Sequence, residues 1–94
     1  MKLALSEERR AALRAFLERF EDAERLAGGE YVVDLYDLDP PVSLDLVFEE
    51  DGVSADGAAE LRFDEELDGW YIGDRIAEPS RVVAALEAAG AFGE

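Results

Sequence analysis

The chain has 94 residues, 24 of them acidic and 9 basic, for a net charge of −15. It contains no His and no Cys, which excludes a disulfide, a thiolate metal site, a Cys nucleophile and an imidazole base. The acidity argues against direct binding of nucleic acid or of an anionic membrane, since both attract basic surfaces.

With 49% apolar residues, the chain is unlike a disordered acidic tail, which combines high charge with low hydrophobicity. Its length suits a single domain over residues 1–94. Met1–Leu5 is too short, and charged too early at Lys2, for a secretory signal. No apolar run reaches the roughly 18 residues of a membrane span. The expected location is the cytoplasm.

The first predicted element is an amphipathic helix from Ser6 to about Ala27. Ser6 suits the N-cap, and Glu7 and Glu8 suit the positive helix end. Leu13, Phe16, Leu17 and Phe20 recur at helical spacing, and Gly28-Gly29 supplies a stop. The period then changes to two. Glu30–Leu38 reads as a strand, ended by Asp39-Pro40-Pro41 because proline cannot donate to a ladder.

Val42, Leu44, Leu46 and Phe48 alternate with more polar residues in the clearest strand of the chain. Turn signals follow at Glu49–Gly52 and at Ala55-Asp56-Gly57. Ala59, Leu61 and Phe63 mark a third strand, and Asp68-Gly69 a two-residue hairpin turn. Trp70-Tyr71-Ile72 forms the fourth strand, with Trp70 and Ile72 on one face and Tyr71 on the other. The strand aromatics would then supply core and ordinary sheet surface, with Tyr36 or Tyr71 available for contact on an open face.

A second helix opens at Pro79 or Ser80 and runs through Val82, Val83, Leu86 and Ala89. Gly90 is its stop, and Phe92 packs back onto it. The order α-β-β-β-β-α predicts an α+β, two-layer domain, with an antiparallel four-stranded sheet and helices on one face.

The residues supply little for catalysis. A calcium loop starting at Asp64 would need a bidentate carboxylate at its twelfth position, where Arg75 stands. The serines are Ser6, Ser43, Ser54 and Ser80; two are capping candidates, no imidazole can activate any of them, and Lys2 lies in a terminus read as mobile. Carboxylate pairs arise by chance in so acidic a chain, and a domain this small has little room for a substrate cleft. The expectation is a non-catalytic protein with no cofactor and no metal.

The acidity itself carries the functional reading. Candidate partner-binding residues are Asp34, Asp37, Asp39 and Asp45 near the first two strands, Glu49, Glu50, Asp51 and Asp56 near the next turns, and Asp64, Glu65, Glu66 and Asp68 at the hairpin. No Lys or Arg lies between Asp34 and Glu60. Carboxylates two apart on a strand project about 6.6–7 Å apart, close to the spacing of phosphates along DNA. A rigid fold bearing them can fill a Lys- and Arg-lined groove built for a duplex.

In size, charge and simple α+β build the chain resembles the small acidic inhibitors of phages and mobile elements, including DNA mimics and some anti-CRISPR proteins. The resemblance covers composition and architecture, and no motif carries over any functional residue. It implies a stoichiometric inhibitor whose partner is a basic, nucleic-acid-binding protein. The alternative is adaptation to a salt-rich cytoplasm, in a subunit or interaction module using an apolar strand edge or the Tyr36/Tyr71 face.

Salt separates the two readings. Self-repulsion at −15 predicts a Tm that rises with KCl. Mimicry expects a complete fold already in dilute buffer, whereas salt adaptation expects folding only in molar KCl. Thermal melts followed by circular dichroism across a KCl series decide between them.

Overall fold

A computed structural model describes residues 1–93. These described residues form an α+β fold, with two α-helices and an antiparallel sheet of six strands rather than four. Both extra strands are short and come from segments that the sequence assigned elsewhere.

One is β1, Lys2–Leu3, which pairs with Val53 and Ser54. The N-terminal ammonium donates to the Ala55 carbonyl at 2.8 Å, and the Ala55 N–H donates back to Met1 at 2.7 Å. The terminus expected to be mobile is therefore a sheet strand.

Helix α1 spans Glu7–Arg19. Its start is as expected: the Ser6 hydroxyl accepts from the Arg9 N–H at 3.2 Å. Its end comes eight residues earlier than the periodicity implied, because Phe20 turns to extended backbone (ψ 130°). Ala23–Arg25 then forms β2, paired with β3, Glu30–Leu35. Here the sheet prevails over helix propensity. β2 satisfies the backbone of an edge that a continued helix would have left bare.

Gly28 and Gly29, read as a helix stop, instead reverse the chain between β2 and β3 at φ +73° and +77°. This allows Leu26 N–H to reach the Glu30 carbonyl at 2.8 Å.

β4, Val42–Glu49, and β5, Gly52–Asp64, form the central hairpin. β6, Gly69–Arg75, returns along the distal half of β5, on the edge whose proximal half holds β1. β5 passes Val42 at Glu60, so its last four residues and the facing part of β6 project about 13 Å beyond β4. The protein is accordingly elongated, 43 × 27 × 25 Å.

The turn expected at Ala55–Gly57 is a β-bulge inside β5. Leu46 faces Ala55 while Asp45 faces Gly57, leaving Asp56 as the extra residue. The hairpin loop is longer than two residues. The Asp64 carboxylate accepts from Glu66 N–H at 2.9 Å and Leu67 N–H at 3.3 Å, and Asp68 closes the loop at φ +51°.

Helix α2, Pro79–Ala88, ends as expected. Gly90 adopts φ +78°, Ala91 N–H reaches back to the Leu86 carbonyl at 2.9 Å, and Phe92 is buried. Both helices cover one face of the sheet. Leu13, Phe16, Leu17, Val82 and Leu86 meet Tyr31, Val33, Leu35, Leu44, Leu46 and Val53 in a single cluster. Tyr31 is fully buried, yet its hydroxyl donates to Glu18 at 3.3 Å, and its ring meets Phe48 edge-on at 5.4 Å.

The two turn glycines give a differential test. Both have positive φ, which costs an alanine about 1 kcal/mol. A Cβ on Gly28 meets nothing within 4 Å, but one on Gly29 would stand 2.9 Å from the Phe48 carbonyl oxygen. Gly29→Ala is expected to lower stability by about 1 kcal/mol or more beyond Gly28→Ala, as read by urea denaturation.

Candidate functional site

The bulge decides what the uncovered face of the sheet presents. Before it, Val53 and Ala55 point into the core; after it, Ala58 does, and Ala59, Leu61 and Phe63 point outward. Ala59 and Leu61 are buried but lie outside the main core cluster.

Cross-strand pairing sets Leu61 opposite Ile72 and Phe63 opposite Trp70 on this outer face. Tyr36, just past the end of β3, brings its ring 5.2 Å from Trp70, and Phe63 meets Trp70 edge-on at 5.3 Å. All of these rings are solvent-exposed: Trp70 at 46%, Phe63 at 46% and Tyr36 at 38%, with Ile72 at 64%. Tyr71 pairs with Arg62 on the opposite face, so Tyr36 and Tyr71 do not share a surface. The contact strip is Tyr36 with Phe63, Trp70 and Ile72.

The twelve candidate carboxylates do not form one array. Glu49, Glu50 and Asp51 lie at the β4–β5 turn, at one end of the sheet. Basic groups meet them there. Lys2 forms a short ion pair with Asp51, and Arg10 donates to the Glu50 carbonyl at 3.3 Å. The hydrogen bond from Lys2 holds the Asp51 carboxyl below its usual range, and the same bond holds the Lys2 ammonium above its own. The adjoining hollow, about 370 Å³, is lined by Glu7, Arg10, Arg14, Phe48 and Glu50. Its charges offset one another, and no Ser or Lys lines it.

Asp45 and Asp56 occupy the middle of the sheet. Asp45 points outward across from Gly57, and one of its carboxylate oxygens is buried without a hydrogen-bond partner. A side-chain hydrogen bond with Asp45, then burial, then the Asp45 and Asp56 charges raise the Glu30 pKa.

Asp34, Asp37 and Asp39 lie toward the far end, about 25 Å from the β4–β5 turn by the length of β4, and Asp64, Glu65, Glu66 and Asp68 lie about 13 Å farther out on the projecting hairpin. They belong to the end of β3, the β3–β4 loop and the hairpin loop, all at the same pole as the aromatic strip. Asp34 accepts from the Tyr36 hydroxyl at 3.3 Å, and Asp64 is engaged with its own loop. Burial and the Asp34 charge raise the Tyr36 phenol above its ordinary range. Arg62, the nearest cation along the hairpin, is held by Asp74 at 2.7 Å and by Glu60 at 3.8 Å.

Among the described residues no group of three or more acidic side chains is arranged to hold a metal ion, and no helix is long and apolar enough to cross a membrane. Chemically, this pole offers exposed carboxylates beside exposed rings: an arrangement for pairing with cations and for apolar contact. No family model, curated protein or solved structure matches the chain.

The sequence reading named the carboxylates but missed Phe63, Trp70 and Ile72 as one exposed surface. Their period-2 spacing was the available signal. The bulge that turns them outward is carried by Asp56-Gly57, which reads equally well as a turn.

The Glu30–Asp45 pair makes a pH prediction. Because the folded pKa of Glu30 is raised, the native state binds that proton more tightly than the unfolded chain does. The pair therefore opposes folding above the raised pKa, and this opposition fades as pH falls through it. Asp45→Asn is expected to lower the Glu30 pKa toward its ordinary value, burial and Asp56 still holding it up in part, and to raise Tm at neutral pH, with the gain vanishing at acid pH. Carboxyl ¹³C NMR titration and pH-dependent melts check both.

Proposed function

We propose that this chain is a non-catalytic acidic binding protein that occupies a basic, nucleic-acid-binding groove of a partner protein, as DNA-mimic inhibitors of the anti-CRISPR kind do. The observation that carries this reading is the acidic pole, where the hairpin's one cation, Arg62, is already paired with Asp74 and Glu60. The adjacent β3–β4 and β5–β6 loops bear Asp37, Asp39, Glu65, Glu66 and Asp68, and no Lys or Arg interrupts either Asp34–Glu60 or Phe63–Asp74.

Exposed carboxylates of this kind each contribute little once bound, but their summed field steers a basic partner and competes with a polyanion for it. The opposite end, where Lys2, Arg10 and Arg14 approach the acids, is poorly suited to that role.

A second reading, an interaction module whose acidity is an adaptation to salt, is favoured by one feature. The exposed rings at the same pole are not required by charge mimicry.

The test is capture from source-cell lysate at low salt, with stepped salt elution. The expected result is one dominant basic nucleic-acid-binding protein, displaced by duplex DNA. The fourfold variant Asp37→Asn, Glu65→Gln, Glu66→Gln, Asp68→Asn should associate about tenfold more slowly with that protein and show a flatter salt dependence. Undiminished binding by the variant at low salt, or retention of a broad mixture of basic proteins, overturns mimicry.

A further inference from the structure

We propose that the outer strip formed by Tyr36, Phe63, Trp70 and Ile72 is a docking surface for an arginine-bearing segment of a basic protein, the guanidinium groups stacking on the rings while pairing with the surrounding carboxylates. This rests on the reading of a basic partner given above and names the chemistry that anchors it.

Exposed contiguous apolar surface bordered by polar groups marks an interaction site. Tyr and Trp, the residues at its centre, are the usual anchors of protein interfaces. The border sets the occupant. Asp34 bonds the Tyr36 hydroxyl, and Asp64 and Asp68 flank the Phe63–Trp70 pair at the hairpin loop. A second copy of the chain would bring the same acids and another −15 of charge against them, so the complementary occupant is cationic.

The rings favour arginine over lysine. A guanidinium is planar, weakly hydrated and able to stack while its N–H groups reach carboxylates, whereas an ammonium holds its water. The chain itself makes such contacts elsewhere. Arg9 lies 4.4 Å from the Phe92 ring centre, Arg14 lies 5.4 Å from that of Phe48, and Arg19 lies 5.8 Å from that of Phe16. Each involves an arginine of α1. Among the described residues, no Arg or Lys lies over Tyr36, Phe63 or Trp70. The outer rings are exposed, and among the described residues no guanidinium covers them.

Trp70 is the only tryptophan, so its fluorescence reports directly from the strip. The probes are two synthetic peptides of equal length and charge, one alternating Arg with Val and the other Lys with Val. The Arg peptide is expected to perturb Trp70 emission and to bind about fivefold to tenfold more tightly than the Lys peptide. Amide shifts in NMR should map to β6 and the distal part of β5.

Tyr36→Ala and Phe63→Ser keep the reporter and lie outside the main core cluster. Each should abolish the Arg preference while leaving salt-dependent binding, with unchanged far-ultraviolet circular dichroism. Equal, salt-dependent affinity for both peptides overturns this inference and leaves the acidic-binder reading standing. Failure of both peptides to bind overturns the two together. Sedimentation showing a dimer that Tyr36→Ala dissociates would assign the strip to a second copy and overturn the inference.

Discussion

The extra residue in β5 determines which side of the sheet is apolar along its distal half. A strand alternates its side chains with a period of two, so one inserted residue moves every later side chain to the other face. Without Asp56 as a bulge, Leu61 and Phe63 would follow Val53 and Ala55 toward the helices. With it, they turn to the uncovered face and meet Ile72 and Trp70 there. The same shift turns Glu60 toward the helix layer, where Arg81 of α2 reaches it at 3.1 Å. One local irregularity thus exposes an apolar strip on one side and places an acid where a basic partner is available on the other.

The projecting hairpin follows from the same strand. β5 has thirteen residues and β4 has eight, so the distal hairpin extends past both the sheet and the core beneath it. Tyr71 illustrates the consequence: it is on the helix side of β6, yet it is exposed because no helix extends that far. The hairpin is therefore held mainly by its own ladder and by contacts such as Tyr36 with Trp70 and Arg62 with Asp74. Its Leu61, Phe63, Trp70, Tyr71 and Ile72 accordingly lie outside the main cluster around Tyr31 and Leu44.

Local chemistry was legible where it acted alone. The Ser6 cap, the alternation from Val42 to Phe48, Pro79 at the start of α2 and the Gly90 stop all appear where their residues place them. Features requiring a distant partner were not legible. Ala23–Arg25 has no strand signature of its own and is extended because β3 needs an edge. Lys2–Leu3 is ordered only by β5. The acidic residues were all visible in the chain, but their division into an end met by Lys2 and Arg10 and a more acidic end depended on where Lys2 and Arg10 fold back. The exposed face of Trp70 and Ile72 depended on register, which a single bulge inverts.

The charge and the rings at the acidic pole complement each other. An exposed strip of Tyr, Phe, Trp and Ile invites self-association. In a chain of net charge −15, each approach of one strip to another also brings like charges together. A basic protein faces no such barrier. On the proposed reading, its charge would be drawn to Asp37, Glu65, Glu66 and Asp68 before contact, and its arginines would cover the rings afterward. The acids would then select which molecule arrives and govern how fast, while the rings would govern how long it stays. Neither set alone gives both properties. Carboxylates without rings would leave a fast, salt-labile encounter, and rings without carboxylates would leave a surface that prefers its own copies.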